Sequence, residues 1–330
     1  MVELMTVLAI IVVLITILIP TVKKIRDASR VAAARNQLMQ INSAVERFFQ
    51  EQGRYPGPLP DAMIATQVRG VTPPPPIFDA GAAMPDANKI TQEENLVLGL
   101  FGGLKWVTTP GLQLTYDPAM VGKGMIGMNP QQPKKSAPYL EDLKMLSKFA
   151  GNTPSHPAGP YTDGAGVAND SRIPEIVDNF PFPLPILYLR ARVGAGGIIG
   201  DDTKNPPDVA QYVMSDIIPY TIGTTDSIGE GKSISMQDYK NEPKPPTQGV
   251  FPHGLQSIDK TKTMDKSDTV NYRYPYDAWA YFSSPTDPNP NVANRQTPRK
   301  KDSFILISAG LDRVYGTADD ITNFGSVIPD

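Results

Sequence analysis

Three carboxylates, Asp312, Asp319 and Asp320, crowd one short glycine-containing segment near the end of the chain, Leu311-Asp-Arg-Val-Tyr-Gly-Thr-Ala-Asp-Asp-Ile-Thr-Asn-Phe324. Clustered aspartates offer the hard oxygens that calcium takes, six to eight of them at about 2.3–2.6 Å from carboxylates and backbone carbonyls. A loop of this length can wrap one ion with those side chains and with carbonyls such as those of Leu311 and Val314. The spacing does not fit the EF-hand template, which needs acids at alternating positions and a closing glutamate. The competing reading is an aspartate-rich turn held by side chain-to-backbone hydrogen bonds, without metal. A fourth acid, Glu3, stands alone in the apolar run MVELMTVLAIIVVLITILI. An ionised side chain in such a run is costly inside a membrane unless it finds a partner.

Other chemistries have little to work with. Cysteine is absent, which removes disulfides, thiolate zinc sites and a cysteine nucleophile. The two histidines, His156 and His253, lie in proline- and glycine-rich surroundings with nothing nearby to suggest a triad. No phosphate loop, metal-ligand histidine pair or nucleophile motif occurs, so no enzyme activity is expected. The formal net charge is −3, which gives no strong pull toward nucleic acid. Thr162-Asp163-Gly164 through Asp170 and Asp201-Asp202 are weaker acidic loops, and Asn169-Asp170-Ser171 is a glycosylation sequon by pattern alone.

The elements that must position Glu3 are legible. Residues Leu4 to Ile19 contain only Thr6 and Thr16 as polar members. As a helix, residues 1–19 reach about 28 Å, close to one hydrocarbon thickness. A cleaved secretory signal would show a basic front and a small-residue cleavage site. A buried soluble helix of this length is rarely apolar on every face. A membrane-competent helix fits best. It continues beyond the run, because Val31, Leu38 and Val45, and Ala34, Ile41 and Phe48, recur at seven-residue spacing on neighbouring stripes. Gly53 ends the pattern and Pro56 prevents its resumption. The segment predicts one helix of about fifty residues, roughly 75 Å long, apolar all round in its first half and amphipathic in its second. Pro20 loosens it near the junction. Lys23, Lys24, Arg26, Arg30 and Arg35 follow the span. The positive-inside rule alone would put the body in the cytoplasm, but a processed N-terminus would have lost its own basic flank.

The run from Val2 to Pro20, followed by a long amphipathic helix, resembles the N-terminal helix of type IV pilins and type II secretion pseudopilins. The resemblance implies that a prepilin peptidase removes a short basic leader and that the new N-terminus is methylated. It also implies that Glu3 pairs with the N-terminal amine of a neighbouring subunit and that Pro20 is the family's helix-loosening proline. Glu3 stands two residues nearer the start than the family pattern expects. This implies that a leader and two mature residues precede the sequence, or that Met1 is an artificial start. Gly53-Arg54-Tyr55-Pro56 resembles the family's G-x-Y-P turn into the globular domain.

The middle, residues 57–270, carries no such likeness and reads as insertions decorating a common core. Proline and glycine, 34 and 27 residues, are concentrated after residue 55 and predict short strands with long connections. Thr91-Gln-Glu-Glu94 is a capping box opening a short amphipathic helix through Leu96, Val97, Leu100 and Phe101. Pro138 to Phe149 reads as another short helix, and Ile186 to Val193 as a strand. Val177-Asp178-Asn179-Phe180 and Tyr276-Asp277-Ala278-Trp279 share a loose pattern. Asp277 to Phe282 resembles the D-P-W-G-x-x-Y start of a strand in major pseudopilins, with Ala278 and Ala280 replacing proline and glycine. Ser303 to Gly310 reads as a strand ending in glycine. The segment after it resembles the S-x-G-x-D…x-D-I calcium loop of the major pseudopilin, with Arg313 in place of the usual glycine.

The expected architecture is α+β and pilin-like: a long N-terminal helix packed on an antiparallel sheet, with loop-rich insertions. The helix spans 1–53, with 1–22 as the membrane or filament-core half and 23–53 as the amphipathic half. The head spans 54–330, with the C-terminal strands and calcium-type loop in 271–330. The expected function is that of a structural subunit of a type IV pilus-like or pseudopilus-like helical filament. Its partners would be copies of itself, the inner membrane before assembly, and the prepilin peptidase and assembly platform. The filament would stand outside the inner membrane, in the periplasm or on the bacterial cell surface. The alternative is a membrane-anchored extracytoplasmic binding module or enzyme with a single N-terminal span.

Overall fold

The computed structural model describes residues 2–57, 92–107, 113–127, 135–146, 173–180, 183–200, 209–213, 255, 281–283, 297–311, 315–325 and 327. The apolar run and the amphipathic stretch form one continuous helix, α1 (Val2–Gln52), with Pro20 inside it. Gly53 ends α1 with φ +68 and donates its N–H to the Phe49 carbonyl at 2.8 Å. That positive φ is open to glycine at no steric cost, which is why the helix stops there.

The stripe expected on the second half of α1 faces the core. Ala34, Leu38, Ile41, Val45 and Phe48 are buried and Val31 is partly buried against them. They pack with α2 (Gln92–Leu100) and with the three-stranded antiparallel sheet β3–β6–β7, formed by Leu187–Arg190, Phe304–Ser308 and Ile321–Thr322. The period of two along β3 and β6 divides two cores. Tyr188, Phe304 and Leu306 face α1 and α2, whereas Leu187, Leu189, Ile305 and Ile307 join a second cluster with Tyr212, Tyr281, Phe282 and Tyr315. A strand covered on both faces reads as a continuous apolar run, as Phe-Ile-Leu-Ile does in β6. Polar links fix how α1 lies on the sheet. Asn323 donates to Asn42 Oδ1 at 3.1 Å, and Gln37 donates to the Val177 carbonyl at 2.6 Å.

The G-R-Y-P turn is packed rather than loose. The Tyr55 ring stacks on Phe49 at 4.5 Å and tilts against Phe304 at 5.3 Å. Its hydroxyl lies 3.2 Å from Ser303 Oγ, and the Pro56 carbonyl accepts the Tyr188 hydroxyl at 3.1 Å.

Several elements differ from expectation. All nine residues of α2 are buried, so it is a core helix and not an amphipathic one. Glu93 is tolerated there because its Oε1 accepts the Tyr188 backbone N–H at 2.9 Å. The stretch from Pro138 has a single 3-10 turn, Leu143–Met145, among its described residues. Asp142 caps that turn, and Leu146 is extended and bridges to Ile176 instead of propagating a helix. Tyr281 and Phe282 are helical and Ser283 forms an isolated bridge with Pro298, where a strand was expected. The strands are also not all antiparallel. β1 (Gly102–Val107) and β2 (Gln113–Val121) pair antiparallel, but β4 (Gly197–Gly200) and β5 (Ala210–Val213) pair parallel. Of the seven strands among the described residues, five lie between residues 57 and 270, and Leu96, Phe101, Ile176 and Tyr188 from this region share the core of α1. Thr91 and the Tyr276–Trp279 segment lie outside the described residues.

Candidate functional site

Among the described residues, nothing covers the first half of α1. Fourteen large apolar side chains among the described residues from Leu4 to Ile25 are exposed, between 44% at Ile11 and 73% at Met5. Burying what each still shows to water is worth roughly 1 kcal/mol. Summed over the stretch, this rivals the whole folding stability of a typical domain, about 5–15 kcal/mol. An exposed apolar surface of this extent marks a site of contact with a membrane or with other protein. The helix is long and apolar enough to cross a membrane.

Glu3 sits exposed in the first turn of α1, and among the described residues no ion pair reaches it. Pro20 lies within the bare half and leaves the Thr16 carbonyl without its helical N–H partner. The Thr16 hydroxyl donates one turn back, to the Val12 carbonyl at 2.7 Å. Both candidate assembly residues thus belong to the uncovered surface, not to the head.

The aspartate segment follows Gly310, which lies two residues beyond the end of β6 and has φ +61. A Cβ at this position would lie 2.4 Å from the Asp319 carbonyl oxygen, so the close approach requires glycine. Leu311 N donates to Asp319 Oδ2 at 2.7 Å, and Thr317 Oγ1 donates to Asp319 Oδ1 at 2.8 Å. Asp320 is buried, and its Oδ2 accepts the Tyr281 hydroxyl at 2.6 Å, Gly316 N at 2.7 Å and Thr317 N at 3.3 Å. Its other oxygen, Oδ1, is buried without a hydrogen-bond partner.

Burial raises the Asp320 carboxyl well above the usual carboxylate range, and the nearby Asp319 adds to the shift, while the three donors act against it. The Tyr281 phenol is likewise pushed well up by burial, then by the Asp320 charge. A buried carboxylate with one orphan oxygen is costly unless it is protonated or meets a cation. Beside it, Arg299 donates to the Ser283 and Val327 carbonyls at 2.9 and 2.8 Å and stacks over Phe324 at 4.6 Å.

Asp319, Asp320 and Leu311 are thus brought together at one turn. Asp312 and Val314 lie outside the described residues, as do His156, His253, Asp163, Asp170, Asp201 and Asp202. Among the described residues no group of three or more His, Cys, Asp or Glu side chains is arranged to hold a metal ion. Asp319 and Asp320 bring two carboxylates to one turn, and the Oδ1 of Asp320 is left there with unused acceptor capacity.

Sequence reasoning missed Tyr281 as the partner of Asp320 and Tyr139 as the clasp on α1. The Tyr139 hydroxyl donates to Glu51 Oε2 at 2.7 Å, its carbonyl accepts Arg47 at 2.8 Å, and its ring meets Phe48 at 5.0 Å. The available signal was an aromatic at each place, next to proline in one and in the aromatic-rich Tyr276–Phe282 stretch in the other. No protein-family model, curated protein or solved structure matches the chain.

Proposed function

We propose that this protein is the structural subunit of a helical filament of the type IV pilus or type II pseudopilus kind. The observation that carries the reading is the division of α1 into a docked half and a bare apolar half. The docked half fixes the helix to the head. The bare half is left with two apolar environments in succession, lipid before assembly and the packed helices of other subunits after it. Contacts that repeat head-to-tail without closing generate an open helical assembly. Glu3, which meets no ion-pair partner among the described residues, would gain one from its neighbour, which sets register. The likeness of residues 2–20 and of Gly53 to Pro56 to pilins supports the same reading. The head would then form the outer surface, outside the inner membrane.

Calcium belongs to this proposal as a staple of the C-terminal turn. Asp319 and Asp320 would hold it, with Asp312 and the Leu311 and Val314 carbonyls completing the set. Such an ion would hold the Asp320 carboxylate in its charged form and tie the end of β6 to the start of β7. A chain without cysteine has no disulfide for that task.

Substitution of Glu3 by alanine tests the assembly role. Sedimentable filament should fall at least about a hundredfold, the scale of one broken buried charge pair, while the circular dichroism and melting of the head stay unchanged. Normal filament yield from Glu3→Ala would sink the role of Glu3.

A further inference from the structure

Directly after the bare half, α1 carries Lys23, Lys24, Arg26, Arg30 and Arg35 against the single acid Asp27. Asp27 meets Arg30 at 3.5 Å. Lys24, Arg26 and Arg35 are exposed, and Lys23 and Arg30 are half-buried. At about 100° per residue, Lys23, Arg26 and Arg30 fall within about 60° of one another. They lie on the same side of the helix as Ile41 and Phe48. That stripe is apolar where the head covers it, from Val31 upward, and cationic where it passes below the head. The change of character coincides with the end of the cover.

We propose that Lys23, Lys24, Arg26 and Arg30 form a collar that docks onto anionic phospholipid headgroups beside the span. This rests on the membrane reading of the bare half. With Val22 at the edge of the hydrocarbon, Lys23, Lys24 and Arg26 stand within about 6 Å of it along the axis, Arg30 at about 12 Å and Arg35 at about 20 Å. Helical side chains lean toward the helix N-terminus, which here means back toward the bilayer. Long cationic side chains keep their stems on apolar surface and their heads at the interface. Surface charge acts over about one Debye length, 8–10 Å, so the first three cations carry the attraction, Arg30 adds less, and Arg35 is screened.

The test uses the full chain reconstituted into phosphatidylcholine vesicles carrying trace spin-labelled phosphatidylglycerol or spin-labelled phosphatidylcholine. The fraction of each probe immobilised by the protein is read by electron paramagnetic resonance. At low salt the phosphatidylglycerol probe should be enriched about fivefold or more, the weight of a single surface cation, and the preference should fade near 1 M salt. The K23Q/K24Q/R26Q variant should lose the preference, and R35Q should keep it. Equal immobilisation of the two probes by the inserted wild-type chain overturns the collar, as does a preference that survives in the triple variant. A triple variant that loses self-association but keeps the lipid preference makes these residues a contact between copies, and also overturns it. Failure of the wild-type chain to insert into neutral vesicles would overturn the membrane reading itself, a result distinct from equal probe ratios in an inserted chain.

Discussion

The two halves of α1 are one helix with opposite fates. From Val31 to Phe48 an apolar stripe is buried against α2, β6 and β7, and polar side chains such as Gln37 and Asn42 bond to the head. From Leu4 to Val22 the sequence is apolar on every side, and among the described residues nothing covers it. Helicity is common to both, so it does not distinguish them. Periodicity does. A stripe specifies one neighbour of fixed orientation, whereas an all-round apolar surface specifies an apolar solvent or several neighbours.

The comparison can be broken by substitution in each half. Phe48→Ala removes a fully buried ring from the core and should destabilise the head by about 3–5 kcal/mol in chemical denaturation. Leu14→Ala, of the same helix, should leave that stability within about 0.5 kcal/mol. Equal effects would mean that the bare half is docked onto the head. Next in size is the aspartate turn, which sharpens the comparison by showing whether the head is stapled independently of the bare half. Without cation, native Asp320 keeps its proton to higher pH than in the unfolded chain. The folded state then binds more protons just above the ordinary carboxylate range, so stability falls as pH rises through that window. A head lacking residues 1–25, treated with chelator, should therefore melt lower at about pH 7 than at about pH 5. Calcium should remove that loss, because it requires the ionised carboxylate, and Asp320→Asn should flatten the pH dependence. Calorimetry with no calcium response, in the native head and in Asp319→Ala and Asp320→Ala alike, would leave the segment an ordinary turn. Among the losses expected in the head the smallest belongs to Tyr139→Phe, which removes the hydrogen bond to Glu51 and should cost about 1 kcal/mol. A larger loss would make the clasp, and not the apolar stripe, the main attachment of α1.

Much of this was readable before any coordinates. The length of α1, its buried stripe, its end at Gly53, and strands β3 and β6 follow from periodicity and from glycine's backbone freedom. The signals that failed were local. Gln-Glu-Glu at the start of α2 reads as a solvent face, yet Glu93 is buried because a backbone N–H of β3 needs an acceptor there. Residues Pro138 to Leu146 have helical spacing, but Asp142 caps a tight turn and Leu146 is drawn into pairing with Ile176. Gly-Ile-Ile-Gly is too short to show a period, so the parallel β4–β5 pair left no trace in the pattern. At the candidate site the aspartates were visible by type, but Tyr281, 39 residues before Asp320, was brought to it only by tertiary packing.

The central claim is that the bare half of α1 is buried against copies of itself in a filament. Negative-stain electron microscopy of cells producing the full chain, and of their membrane fraction, tests it most directly. Continuous fibres a few nanometres wide, present with the native chain and absent with Glu3→Ala, are the predicted result. A protein found only as dispersed single molecules in the membrane, with no fibre under conditions where the head is folded, would contradict it.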